Sequence, residues 1–404
     1  MILAGDFIPK NLNVHIPDEF KDCLVLANLE GPICDDSLSK SSKVGFCLHS
    51  NGEKLRSWGV ERFAFSLANN HMMDFGEEGL RQTKAALASL SIPFAGAGVN
   101  EEEARQPMIL EENGKRIAVF SCSERQFGMA TEDTAGCAAK GAWLYEAIRG
   151  VKALGNADFV IVSCHAANEY SPWVSPSLHD FYHSLVDAGA DCIHGHHAHV
   201  PQGYEEYKGK PIFYGLGNFV VDPTSWSSNA NQLWSIVGDV NFAVDRVSWS
   251  VTPYCVQVED GEIEICVRKA DGERLISFHS YLACANRQFE SRRMLVSCWQ
   301  EASVRLYRRV YEQLLRAPSV ENHRLSMRDA VRKLTFAAGD VIRALMLSER
   351  RTNRSLHYAK VIYNYFNCQS HVETIAAALG VLTESESDLR SPETCSLANQ
   401  LGVR

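Results

Sequence analysis

Short runs rich in Val, Ile, Phe and Cys alternate with longer amphipathic segments from residue 1 to about 270. Met1–Ala4, Cys23–Leu26, Arg62–Ser66, Arg116–Ser121, Phe159–Ser163, Cys192–His194 and Pro211–Tyr214 are bounded by Gly, Asn, Asp or Pro, and the pattern predicts strands. Glu77–Leu90 places Leu80, Thr83, Leu87 and Leu90 at helical spacing, and Pro176–Ala188 reads likewise. Strand–helix alternation of this kind predicts an α/β domain with buried sheets. Cys255–Val258 and Glu264–Val267, joined through Glu259-Asp260-Gly261, predict a hairpin.

Beyond about residue 275 the period becomes helical. Leu306, Tyr307, Val310, Tyr311, Leu314 and Leu315 form one stripe, Pro318 interrupts it, and further helices are predicted over Arg324–Leu347 and Leu356–Leu379. Residues 383–404 lack periodicity and predict a mobile tail. The expected organisation is an α/β domain over 1–270, a helical region over 271–382 and the tail.

The chain has 404 residues, and with 46% apolar and 22% charged residues it has enough apolar surface to exclude disorder along its whole length. Its net charge of -9 is unevenly spread. Residues 287–360 hold 16 Lys/Arg against 7 Asp/Glu, so they carry +9 and the remainder -18. Attraction between the two parts is the favoured reading; the alternatives are an anionic polymer or the inner face of a membrane. A homodimer is a further possibility, and no nucleic-acid partner is expected. No apolar run approaches the ~20 residues that cross a bilayer. The first residues lack the basic start and apolar core of a secretory leader, so a cytoplasmic protein is expected. Thirteen scattered cysteines without Cys-x-x-Cys spacing read as reduced thiols.

Polar residues follow the predicted strands in series. Asp6 follows the first, Glu30 the second, Asn70 and His71 the third, His165 the fifth, and His197 and His199 the sixth. Ligands of open α/β sheets bind beyond the carboxyl ends of strands, so these five segments can converge on one site. Carboxylate and imidazole suit a pair of divalent ions, such as Mn, Fe, Zn or Mg, that clamp an oxyanion and acidify water. Four of the six residues from His194 to His199 are His, in a chain with 14.

Gly5-Asp6, Asn28-Leu29-Glu30, Leu67-Ala68-Asn69-Asn70-His71 with Asp74, Gly76 and Gly79, and Gly96-Ala97-Gly98 resemble successive motifs of the capsule-synthesis CapA proteins. The likeness continues through His165 with Glu169-Tyr170, Asp187-Ala188-Gly189-Ala190-Asp191, Gly195-His196-His197 with His199-Val200 and Gln202, and Tyr214-Gly215-Leu216-Gly217-Asn218-Phe219. CapA proteins are in turn similar to calcineurin-like metallophosphoesterases. The resemblance implies a four-layer α/β/β/α metallophosphoesterase-like sandwich, here with an α-helical C-terminal extension. It implies Asp6 and His199 at a first metal, Glu30 bridging, and Asn70, His165 and His197 at a second. His71 matches the residue that hydrogen-bonds or protonates the substrate, and Glu169 reads as a second base or as the orienter of an imidazole.

Three departures stand out. Asp6-Phe7-Ile8 lacks the imidazole of the usual Asp-x-His, Glu30 replaces a bridging Asp, and Ala167 replaces a Gly. His196 is expected outside the ligand set, because neighbours in an extended segment point to opposite sides. Asp74 reads as a helix cap and Asn218 as a turn residue facing the site. The function implied is a metal-dependent hydrolase of phosphate esters, or of a related bond, in capsular or extracellular polymer synthesis, acting on an anionic or phosphorylated small molecule or polymer. The alternatives are a non-catalytic polymer-binding or carrier subunit of poly-γ-glutamate synthesis and a metal-dependent γ-glutamyl amide hydrolase.

Overall fold

The computed structural model describes residues 1–41, 43, 46–226, 230–243, 246–258, 264–311, 361 and 366–403. Its strands, in chain order, are β1 Ile2–Ile8, β2 Asn13–His15, β3 Val25–Leu29, β4 Phe63–Ser66, β5 Phe94–Ala95, β6 Ala97–Gly98, β7 Met108–Glu112, β8 Lys115–Ser123 and β9 Gly136–Cys137, continuing with β10 Phe159–His165, β11 Cys192–His196, β12 Pro201–Tyr207, β13 Lys210–Leu216, β14 Asn218–Val221, β15 Trp234–Phe242, β16 Val247–Val258 and β17 Glu264–Lys269. The helices that flank them are α1 Gly76–Ser89, α2 Glu101–Ala104, α3 Trp143–Ala153 and α4 Pro176–Ala188; α5 Gly272–Asn286, α6 Arg292–Leu306, α7 Gln369–Leu382 and α8 Pro392–Gln400 follow.

One sheet runs β2-β17-β16-β15-β1-β3-β4-β5, with β14 also paired to β1, and the other runs β12-β13-β11-β10-β8-β7. In the first, β1 is parallel to β3 and β14, and β3 to β4; in the second, β10 is parallel to β8 and β11. Parallel strands buried on both faces read as continuous apolar runs, as these do. Along β8, Ile117 and Val119 pack between the sheets while Ala118 and Phe120 pack under α3 and α4. Leu3, Leu26, Ile161 and Phe213 share the inter-sheet core. On the opposite face of the first sheet, Phe7, Phe65 and Leu29 meet Leu80 and Leu87 of α1. The result is four layers, helix, sheet, sheet and helix, with α5 to α8 added.

Two glycines let the sheets close over the strand ends. A Cβ on Gly5 would stand 1.9 Å from the Gly217 carbonyl oxygen, and one on Gly195 2.0 Å from that of Tyr214. The β1 pairing register shifts on either side of Asp6, a local irregularity inside the strand.

The helices beyond residue 271 dock on the α/β layers through polar as well as apolar contacts. Gln288 is wholly buried, donates to the carbonyls of Gln202 and Pro172, and accepts from Val174 N at 2.8 Å. Arg292 at the start of α6 forks onto Asp180 of α4. The hairpin expected across residues 255–267 is β16–β17, paired from Tyr254↔Lys269 to Val258↔Ile265. The helix expected over Arg324–Leu347 lies outside the described residues, and the described part of the one expected over Leu356–Leu379 runs as α7 to Leu382.

The last segment differs from expectation. Residues 392–400 form α8 rather than a mobile tail; Ser391 and Thr394 form a capping box, and Pro392 starts the first turn. Leu397 and Leu401 pack on Trp173, Ala285 and Cys298. Nine residues give too few turns for a visible apolar stripe, so tertiary contacts decide this helix. Among the described residues, no helix is long and apolar enough to cross a membrane.

Candidate metal centre

Asp6 within β1, Glu30 just after β3, His165 at the end of β10 and His199 shortly after β11 are almost wholly buried and meet between the sheets. Nδ1 of His199 lies 3.3 Å from Asp6 Oδ2, and its Nε2 lies 3.5 Å from Glu30 Oε1. His71 Nε2 and His165 Nε2 approach the same Glu30 oxygen at 3.9 and 4.0 Å. Asn70 Oδ1 stands 3.0 Å from His165 Nε2. Two side chains expected as ligands therefore flank the expected bridge, and Asp6 with His199 flanks its other side. His197 sits further along the cleft, its ring 4.5 Å from that of His165, in a second group with Glu169 and His199.

The backbone after β11 makes this convergence possible. His197 and His199 have φ of 89° and 56°, a left-handed region that non-glycine residues seldom occupy. Such strain is held where surrounding structure over-determines it, commonly at functional sites. It also breaks the alternation of an extended segment. His196, the last residue of β11, shares a face with His194 and points Nδ1 at Asp6 Oδ1, 3.3 Å away, while the left-handed residues turn His197 and His199 toward the same cluster.

Hydrogen bonds fix what His196 presents. His194 Nε2 lies 2.8 Å from the Ala4 carbonyl oxygen and must donate to it; burial keeps His194 neutral, so its Nδ1 accepts from His196 Nε2 at 3.2 Å. His196 Nδ1 is thereby the ring atom that faces the Asp6 carboxylate. On the Asp6 side, Asn28 donates to Oδ1 at 2.8 Å, and Asn69 orients Asn28 through its Oδ1. An imidazole absent from Asp6-Phe7-Ile8 thus arrives in space from β11.

The acceptors outnumber the donors. Both Glu30 oxygens, Asp6 Oδ2, His196 Nδ1 and His197 Nδ1 are buried without a hydrogen-bond partner. Orphaned buried acceptors cost about 1–3 kcal/mol each, and a divalent cation removes that cost. Atoms bound to one ion at about 2.1 Å stand about 3.0–3.4 Å apart, close to the Asp6–His196 separation of 3.3 Å and the 3.5 Å between Glu30 Oε1 and His199 Nε2. The residues fit a metal.

Charge follows from burial and proximity. Burial pushes Glu30 well above the ordinary carboxylate range, whereas Asp6, despite burial, is held well below it by His196 and His199. Burial lowers His165, and lowers His197 to about 4, so both are neutral and able to ligate. His199 is also disfavoured as a cation by burial, but Glu30 and Asp6 outweigh that and push it up to about 10. Without a cation the cluster retains protons.

His71 is oriented by Asp74, whose Oδ2 accepts from Nδ1 at 2.6 Å, leaving Nε2 toward Glu30. Asp74 also pairs with Lys43 and accepts from Leu48 N, so it organises the site; α1 has no side-chain cap at its start. Asn218 does face the site, accepting at 3.0 Å from His199 Nδ1. Lys43, Glu124 and Gln126 carried no sequence signal. Gln126 reaches His197 Nε2 at 2.8 Å, and burial pushes Glu124 beside it up to about 7.

The family model for the bacterial capsule synthesis protein PGA_cap matches residues 17–223, just over half of the chain, including every cluster residue except Asp6. The chain belongs to the PGA_cap family. It is 33% identical over 206 residues to the capsule biosynthesis protein CapA of Bacillus anthracis, covering 49% of this chain and 50% of that one. A probable polyglutamine synthesis accessory protein of Mycobacterium tuberculosis is 37% identical over 169 residues, covering 39% and 44%. The chain thus spans about half the length of the curated relatives it matches. Among solved structures, a hypothetical protein from Thermus thermophilus is 17% identical with a TM-score of 0.40, covering 67% of this chain and 99% of that one.

In this PGA_cap protein a cleft of about 870 Å³ lies beside the cluster. Lys10, Phe46, Tyr170 and Trp226 come from the α/β part, while Arg309 and His371 come from the helical region. Glu169 lines the same cleft and is held below the usual range, against burial, by His197 and His199. Trp226 packs on His199 at 4.6 Å between rings, and Phe46 stacks on His71 at 5.3 Å. The helical region is therefore a wall of the cleft beside the site.

Proposed function

We propose that this chain is a metal-dependent hydrolase of phosphate esters serving extracellular polymer synthesis. The observation that carries the reading is Glu30, whose two oxygens are buried and unpartnered while His71, His165 and His199 face one of them. Asp6, His196, Glu30 and His199 would hold one divalent ion, and Glu30, Asn70 and His165 a second, with Glu169 and His197 at the cleft side. Bound there, such ions supply a hydroxide near neutral pH and a clamp for phosphoryl oxygens.

The remaining residues act on the substrate. His71, steadied by Asp74, holds Nε2 where a proton can pass to or from the ester oxygen, a contribution of about 100- to 10,000-fold in rate. Lys43 against Asp74 and His71 adds positive charge beside that path. Lys10 and Arg309 give the cleft cationic side chains for an anionic chain, while Phe46 and Trp226 shield the ligands from water.

The reading is tested with the full chain in manganese, against generic phosphomono- and diesters and a γ-glutamyl peptide. Turnover of an ester that disappears in Glu30→Gln supports it. Turnover of the amide alone would move the chemistry to carbon. Polymer binding without turnover of any bond would make this a carrier.

A further inference from the structure

Helix α4 carries His179 and His183 one turn apart, and both reach Glu205 on β12, the edge strand of the second sheet. His183 Nε2 lies 2.6 Å and His179 Nε2 3.5 Å from Glu205 Oε1, and the two imidazole centroids are 4.0 Å apart. All three side chains are part-exposed, so an ion from solvent can enter. None of them belongs to the strand-end centre.

The surroundings orient the set as metal ligands are oriented. His179 Nδ1 donates to Asp180 Oδ1 at 3.1 Å, which leaves Nε2 as the lone pair facing Glu205. Asp180 is itself fixed by the Arg292 fork. Tyr214 donates to Glu205 Oε1 at 2.6 Å, and the Tyr207 ring stacks on His183 at 3.7 Å. A neutral imidazole and a carboxylate face each other across 3.5 Å, near the ~3.4 Å between two ligands of one tetrahedral ion. His183 Nε2–H donates to the carboxylate; as a ligand the same ring would carry its hydrogen on Nδ1 instead.

We propose that His179, His183 and Glu205 form a second, separate metal site that takes one borderline transition-metal ion of the zinc class. Two imidazoles and one carboxylate with an exposed fourth position suit zinc, nickel or cobalt better than magnesium or calcium. The ion ties α4 to an edge strand and, through Asp180 and Arg292, steadies the start of α6.

The test uses the metal-stripped full chain titrated with cobalt(II), following visible absorption and bound metal by elemental analysis. His183→Ala and Glu205→Gln should each bind one ion per chain fewer than their parent. The same difference should persist in a Glu30→Gln background, where the strand-end centre has lost its bridge. Zinc should raise the melting temperature of the Glu30→Gln chain and not that of the chain that also carries Glu205→Gln. Equal cobalt in parent, His183→Ala and Glu205→Gln would overturn the site, whatever the strand-end centre does. Glu205→Gln keeps the size of the side chain, so it decides the matter if His183→Ala fails to fold.

Discussion

His196 Nδ1 stands 3.3 Å from Asp6 Oδ1, its ring oriented by His194, which is fixed in turn by its own bond to Ala4. Two lone pairs at that separation, buried on all sides, are stable only with a cation or a proton between them. His196→Phe is expected to lower metal affinity about 10- to 100-fold with secondary structure unchanged, as measured by equilibrium dialysis and circular dichroism. His194→Phe, which removes the acceptor that fixes His196, should give a smaller loss in the same direction.

Glu30 trades stability for binding. Its folded-state pKa is raised by burial, so the stability it allows is fully present below about 4.5 and is lost as the pH rises toward the raised value. Glu124, pushed up to about 7, acts in the same direction. Glu30→Gln in metal-free protein should therefore gain about 1–3 kcal/mol at pH 8 and little at pH 4, read from urea denaturation at both values. The same substitution should abolish turnover.

Metal uptake should release protons. His199 is held up to about 10 by Glu30 and Asp6 against burial, and it must lose its proton to ligate. His197, lowered to about 4, is already neutral and contributes no proton at neutral pH. Apparent manganese affinity should rise with pH, by up to about tenfold per unit below pH 10. Calorimetry in buffers of different ionisation enthalpy counts the released protons directly; none released at pH 7.5 would contradict a charged His199.

Gly5→Ala should unfold or displace β1. The new Cβ would meet the Gly217 carbonyl oxygen at 1.9 Å, and backbone on both sides cannot yield. A loss of about 3 kcal/mol or more is expected in thermal denaturation, whereas Gly155→Ala, with nothing near its Cβ position, should cost about 1 kcal/mol from its positive φ alone.

Strand-end chemistry was legible before any fold was known, because a strand carries its last polar residue to a predictable edge. Asp6, Glu30, Asn70, His71, His165 and His199 lie within one cluster, each after the apolar run that predicted its strand. Several predicted strands stop short at their C-terminal end, since polar residues continue the pairing: Asp6 lies inside β1, and His165 and His196 close β10 and β11. The motif blocks also carried the family, whose model covers residues 17–223.

What the sequence determined by itself is this local content: which residues pack, which end a strand, and which ligand types follow one another. Only the tertiary structure decided the relations between distant segments. The left-handed residues His197 and His199 turned both imidazoles toward the cluster that His196 already faces from β11, a reversal that alternation along a strand does not contain. Lys43 joined Asp74 and His71, α8 became ordered by packing, and Glu205 met His179 and His183 across two elements. Each of these depends on burial and approach across the two sheets, where the free energy belongs to pairs of residues and not to either residue's own neighbours in the chain.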